Sequence, residues 1–377
     1  MAPLISRIVV DERVQDEPLT RRILERRGSA AFDVTDDASM QERMRSLTLE
    51  RGKRILYITR LDGGFVKPCP ATRAPYLCCR YTVINQAAQC PLDCTYCILQ
   101  DYLNSPVVTA YANLDAMYEE IDALLDEQPN RFFRFGTGEL TDSLALDEMT
   151  GLSRDLSRFF ADKGNAILEL KSKTVRIGEL SACAPGRIVV SWSLNPPAVV
   201  RGEEFRAASI EDRLAAARRC MDMGFLLGFH FDPILSVDGF EDRYRELVEK
   251  VFRYIDGARI AWISLGSLRF PPSLKETIRN RFPGTRILHE EMVRGLDGKL
   301  RYVRPLRVSM YRKVYDWLKE QDPDLFLYFC MEPPWVWEAV MGEAPTSNAD
   351  LDYRFARSLY ERFPELGAAE PRPEAYE

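Results

Sequence analysis

Residues Gln89–Gln100 read QCPLDCTYCILQ, three cysteines spaced C-x3-C-x2-C within eight residues. Three thiolates on one tight loop can ligate three irons of a [4Fe–4S] cubane and leave the fourth iron open to another ligand. The competing use of such a triplet is a structural zinc knuckle, with Cys69, Cys78 or Cys79 as the fourth ligand. Structural zinc usually takes paired C-x2-C units or Cys/His mixtures. Here the spacing is asymmetric, and Tyr96 stands just before the last cysteine. The cluster is the expected occupant, held by Cys90, Cys94 and Cys97.

Outward from the triplet the chain has a regular rhythm. Short apolar runs alternate with amphipathic helical stretches, the pattern of βα units around a parallel sheet. Strands are expected at Tyr81–Asn85, Phe132–Thr137, Ala166–Lys171, Ile188–Leu194, Leu226–Asp232 and Ala261–Ser267. Helices fall between them near Leu114–Glu127, Leu146–Lys163, Arg176–Leu180, Ile210–Met223, Phe240–Ile255 and Leu274–Arg281. In one of these, Ile210, Leu214, Ala217 and Met221 recur at i, i+4, i+7 and i+11, which puts them on one face. Six such units make an α/β fold, an open, partial (β/α)6 TIM-like barrel over residues 81–282. Residues 1–80 read as an irregular lead-in packed on the barrel, with helical stretches at Leu19–Arg27 and Ser39–Arg51 and a strand at Arg54–Thr59. Residues 283–365 read as a C-terminal extension with a helix at Val308–Glu320, a strand at Leu325–Cys330 and a Trp-rich helix start. The acidic, proline-containing end, 366–377, reads as a disordered tail.

The totals limit the function classes. Of 377 residues, 46% are hydrophobic and 29% charged, as in a globular chain with a large core. The net charge of −6 weighs against a general nucleic-acid binder. No apolar run approaches the roughly 18 residues of a membrane span, and the opening MAPLISRIVVDERVQDEP is too soon acidic for a leader. The cytoplasm is the expected location, and there a cysteine cluster favours metal over disulfides. The only histidines are His230 and His289, too few for a His-rich metal site or a Ser-His-Asp hydrolase.

The triplet and its flanks resemble the radical S-adenosylmethionine (SAM) superfamily. Five blocks in order resemble the spore photoproduct lyase family within it: CPLDCTYCILQDYLNS, FGTGELTDSLALD, LELKSKT, SWSLNPPAVV and GFHFDPI. The resemblance covers roughly residues 50 to 340. It implies that SAM chelates the open iron and is cleaved to a 5′-deoxyadenosyl radical, in the service of DNA lesion repair. It also implies a flavodoxin- or ferredoxin-type electron donor and makes DNA a candidate partner.

In a parallel barrel, ligands sit at the C-terminal ends of the strands. Gly138 permits close backbone approach there, and Glu139 offers a carboxylate to the SAM ammonium. Lys173 is placed to pair with the SAM carboxylate. Ser193 and Asn195 are placed for its ribose hydroxyls or carboxylate, and Asp232 ends the fifth strand. Tyr96 brings the loop backbone near the adenine. His230 reads as a satisfied structural histidine.

The chain also departs from the family. The resemblance implies a hydrogen-donor cysteine after the second strand and a relay tyrosine after the third cluster cysteine. Glu139 and Ile98 stand at those places, and no cysteine lies between Cys97 and Cys183. Cys330, in LYFCMEPPWVW, is the first candidate for a relocated donor, followed by Cys78 and Cys79. Arg294–Lys313 carries seven basic residues and one acid with Tyr302 and Tyr311 interleaved, a mix that suits either a phosphate backbone or a solvated helix face. Trp335 and Trp337 read as packing. Besides a nucleic-acid lesion, a small molecule or a peptide is compatible with the same scaffold.

Overall fold

The computed structural model describes residues 4–28, 31–69 and 74–377. Residues 70–73 of the Pro/Cys-rich loop lie outside them. The central element is an open eight-stranded sheet. Its order from one edge is Leu327–Phe329, Ile260–Ser267, Leu226–Ile234, Ile188–Ser193, Ala166–Ser172, Phe133–Gly136, Thr82–Ile84 and Val66–Pro68. All neighbours pair in parallel except Val66–Pro68, which caps the edge antiparallel to Thr82–Ile84. We number the parallel strands one to seven in chain order. The six expected strands are the first six. The seventh, Leu327–Phe329, comes from the stretch read as an extension and lies beside Ile260–Ser267.

These strands are buried on both faces, since the inner face lines the barrel and the outer face is covered by helices, and most of their residues are apolar. Ala166, Ile167, Leu168 and Leu170 are buried. Helix Ile210–Asp222 buries Ile210, Leu214 and Ala217, as its spacing requires, and Ser209 caps its N-terminus by accepting from Asp212 N. The stretch Leu146–Lys163 is not one helix. Gly151, at φ 62°, separates Asp147–Thr150 from Leu152–Phe160. Its backbone adopts the left-handed region that glycine enters without a Cβ penalty.

The lead-in is more ordered than its sequence suggests. Arg7–Asp11, Phe32–Thr35, Ile55–Thr59 and Val108–Tyr111 form a second, mainly parallel sheet, with Ala87–Ala88 at its edge. Val108–Tyr111 follows the cysteine loop in sequence, so that loop is tied to both sheets. The chain end is not a disordered tail. Pro373–Tyr376 forms a 3-10 turn, Tyr376 is 1% exposed, and its hydroxyl accepts from Phe132 N at 3.2 Å. One aromatic ring has enough apolar area to pin so short a segment. No helix among the described residues is long and apolar enough to cross a membrane.

Candidate active site

The cysteine loop leaves the first strand and turns into the barrel mouth. It is entered through Gln89, whose φ of 65° is unusual for a residue with a side chain. That conformation is held from both sides. Gln89 O accepts from Thr141 Oγ1 at 2.7 Å, and Gln89 Nε2 donates to Ser105 O at 3.1 Å. Further on, Asp93 and Cys94 pair antiparallel with Phe205 and Glu204, Thr95 Oγ1 donates to Glu203 Oε2 at 2.6 Å, and Arg206 Nη1 donates to Pro91 O at 3.1 Å. The loop is thus braced by the segment that follows the fourth strand.

Cys90, Cys94 and Cys97 line one cavity of about 590 Å³. Burial pushes the Cys90 thiol well above its ordinary range and the Cys94 thiol up to about 12. Such thiols give up their protons when a metal supplies the compensating charge. Among the described residues, no three His, Cys, Asp or Glu groups converge on a single-ion site. A cubane spreads three thiolates over three irons and does not ask them to meet at one ion. The donor chemistry and the room beside it fit the cluster.

The opposite walls come from strand ends. On the third strand, side chains alternate, so Glu169 and Lys171 share the inner face; both line the cavity, as does Lys173 just past the strand's end. Gly138, Glu139, Ser193, Asp232, Tyr96 and Cys330 line it too. Gly138 has no room for a side chain, because a Cβ would come within 2.8 Å of Lys171 Cβ. Asp232 accepts from Arg269 Nη1 and Nη2, each at 3.0 Å. Burial would raise the Asp232 pKa, but the Arg269 guanidinium outweighs it and holds the carboxyl below its ordinary range.

A family model described as spore photoproduct lyase matches residues 78–321. The chain belongs to the spore photoproduct lyase family. It is 28% identical over 215 residues to the spore photoproduct lyase of Geobacillus sp., covering 56% of this chain and 63% of that one, less than two thirds of the relative's length. With the Clostridium acetobutylicum enzyme it is 22% identical over 307 residues, covering 78% and 87%. The fold resembles that of a spore photoproduct lyase variant solved with bound AdoMet and dinucleoside spore photoproduct: TM-score 0.78, 22% identity, 87% of this chain and 100% of that one. It equally resembles spore photoproduct lyase complexed with the dinucleoside photoproduct: TM-score 0.77, 21% identity, with the same coverage.

Within this member of the spore photoproduct lyase family, one expected contact is redirected. Asn195 does not reach the cavity. It is fully buried behind the wall, where its Nδ2 donates to Tyr96 Oη at 3.3 Å and Glu204 Oε1 at 3.1 Å, and its Oδ1 accepts from Tyr244 Oη at 2.9 Å. Both ends of the amide are used in positioning Tyr96 and Glu204. Lys173 Nζ is already shared between Tyr96 Oη at 2.7 Å and Glu204 Oε1 at 2.8 Å. His230 is satisfied on both nitrogens, by Ser264 Oγ at 2.8 Å and Glu169 Oε1 at 2.6 Å.

Glu204 is the residue that sequence reasoning missed. Its side chain is wholly buried, and it joins Lys173, Asn195, Tyr96 and Arg213, the last at 2.5 Å. In the sequence it stands in RGEEF, where two adjacent acids look like a solvated face. Glu169 was hidden in the same way inside LELKSKT. It accepts from His230, Ser191 Oγ at 2.7 Å and Trp262 Nε1 at 3.1 Å.

The basic segment Arg294–Lys313 is not a continuous phosphate-gripping stripe. Tyr302 and Tyr311 are core residues, Arg301 is paired with Asp297, and Arg307 with Glu332. Trp337 packs edge-on against Phe329, while Trp335 is exposed.

Proposed function

We propose that this chain is a radical SAM enzyme in which Cys90, Cys94 and Cys97 hold a [4Fe–4S] cluster and SAM occupies the cavity beside it. The observation that carries the reading is the opening of all three thiols into one cavity walled by strand ends. With both cofactors bound, reductive cleavage of the sulfonium supplies a 5′-deoxyadenosyl radical for hydrogen abstraction. The chain's own part is to place and enclose. Lys173 and Ser193 face the carboxylate and hydroxyls of SAM, Gly138 lets its backbone approach, and Glu139 faces its ammonium. An electron donor of flavodoxin or ferredoxin type feeds the cluster.

The substrate class we assign is a DNA photoproduct. Two solved relatives carry a dinucleoside spore photoproduct, and this cavity has room beyond the thiols. The route that returns hydrogen to the substrate differs, because Glu139 and Ile98 occupy the donor and relay positions implied by the resemblance. Neither a carboxylate nor an alkyl chain offers a bond to hydrogen as weak as S–H. The thiols remaining on the cavity wall are Cys69, Cys79 and Cys330. Burial raises the pKa of Cys79 and of Cys330 alike, so both sulfurs keep their hydrogen, and of the two we place any relocated donor at Cys330, at the end of the seventh strand.

The test is anaerobic incubation of a defined dinucleoside spore photoproduct with the reconstituted protein, SAM and dithionite. The expected result is SAM cleavage with little clean reversal to two thymines. Full iron and sulfide content without SAM cleavage refutes the radical SAM reading. Efficient clean reversal refutes the altered return route unless Cys330→Ala abolishes it, in which case the donor has moved to Cys330.

A further inference from the structure

Lys53 follows the short helix Leu49–Gly52 in the N-terminal layer and is 0% exposed. Lysine is almost never fully buried unless it is paired, and this one is paired inside the cysteine loop. Its Nζ donates to Leu92 O at 2.6 Å and to Asp93 Oδ1 at 3.0 Å, both between Cys90 and Cys94. The position is fixed by packing as well. A Cβ on the preceding Gly52 would meet Pro106 O at 2.4 Å, so the helix lies backbone to backbone against the chain leaving the loop.

Asp93 has a second cation. Arg281, from helix Pro272–Arg281, reaches both of its carboxylate oxygens at 3.0 Å. Arg281 also binds Glu50, but that carboxylate is 52% exposed and screened by water. Two cations therefore face Asp93, with Glu50 as the second and more exposed counter-charge, and the Lys53 ammonium is held as a fixed positive charge against the loop segment between Cys90 and Cys94.

We propose that Lys53 raises the reduction potential of the cluster held by this loop, its ammonium stabilising the added electron, and that it positions the loop through Leu92 and Asp93. The inference rests on the cluster reading above. Reduction adds a negative charge to a centre that already carries three thiolates. Iron–sulfur potentials respond to net charge, hydrogen bonding and exposure at the site, and groups just outside the ligands tune the metal.

The experiment is anaerobic reconstitution of the full chain and of Lys53→Arg, Lys53→Met and Asp93→Asn. Iron and sulfide are assayed, and the midpoint potential is followed by electron paramagnetic resonance. Lys53→Met is expected to keep its cluster but to show a reduced-to-oxidised ratio about tenfold lower at fixed potential, about 59 mV more negative for a one-electron couple. Lys53→Arg should stay near the parent. Asp93→Asn removes the carboxylate and leaves both cations, so its potential should move the other way, to more positive values. A fully loaded Lys53→Met at the parent potential overturns the inference. If Lys53→Met takes up no cluster, Asp93→Asn decides, and a potential that is unmoved or more negative overturns it. A parent chain that binds no iron and sulfide brings down the cluster reading itself, an outcome distinct from a loaded cluster whose potential ignores Lys53.

Discussion

Glu204→Gln removes the one carboxylate between two buried cations. Lys173 Nζ lies 2.8 Å from Glu204 Oε1, and Arg213 Nη2 lies 2.5 Å from Glu204 Oε2. The side chains of Glu204 and Arg213 are both shielded from water. The burial that would raise the Glu204 pKa is outweighed by Lys173 and Arg213, and the group is held well below the carboxylate range. Glutamine preserves the shape and leaves the two cations without their counter-charge. Breaking a buried pair in this way costs about 3–5 kcal/mol. For a chain of 377 residues that corresponds to a melting shift of about 4–6 °C. Calorimetry of the cofactor-free protein measures it, and Lys173→Met provides the second arm. In the Glu204→Gln background it should cost less than in the parent, because it then removes an unpaired ammonium rather than a paired one. A Glu204→Gln protein that melts within 1 °C of the parent, or additive behaviour of the two substitutions, refutes the argument.

Replacing Cys90, Cys94 or Cys97 with alanine should abolish cluster uptake, checked by iron and sulfide assay after reconstitution; a variant at full content sinks the ligand assignment. Lys173→Ala should weaken SAM binding about tenfold while leaving the cluster in place. That is the low end for a hydrogen bond to a charged group, since Glu204 already shares the ammonium; an unchanged dissociation constant in equilibrium titration removes the role. The third concerns acid. Glu169 is held at about 2 against an ordinary 4.5, because His230 outweighs the effect of burial. A depressed carboxylate contributes stability that is complete above pH 4.5 and is lost as pH falls toward 2, on the order of 3 kcal/mol in all. Denaturant unfolding of the parent and of Glu169→Gln between pH 5 and 3 should therefore converge as pH falls, and a constant gap would contradict the coupling.

The sequence by itself determined the barrel and singled out the cysteine loop. Parallel strands buried on both faces must be apolar runs, and helices covering them must be amphipathic, so both leave a periodic trace. The six strands from Thr82 to Ser267 were legible for that reason. The Cys90–Cys94–Cys97 spacing was legible because a short loop keeps its three thiols adjacent in the chain. The N-terminal sheet was not, because Val108–Tyr111 joins Ile55–Thr59 across the whole cysteine loop and neither strand signals its partner. Tyr376 looked like part of a tail for the same reason, since its neighbour Phe132 is 244 positions away. Only the tertiary structure decided what the charged residues do. Glu204, Glu169 and Lys53 have the composition of a solvated surface in sequence. They differ from surface residues only through cations, a histidine and carbonyls that distant segments bring to them. Electrostatic partnership acts through space and carries no period along the chain.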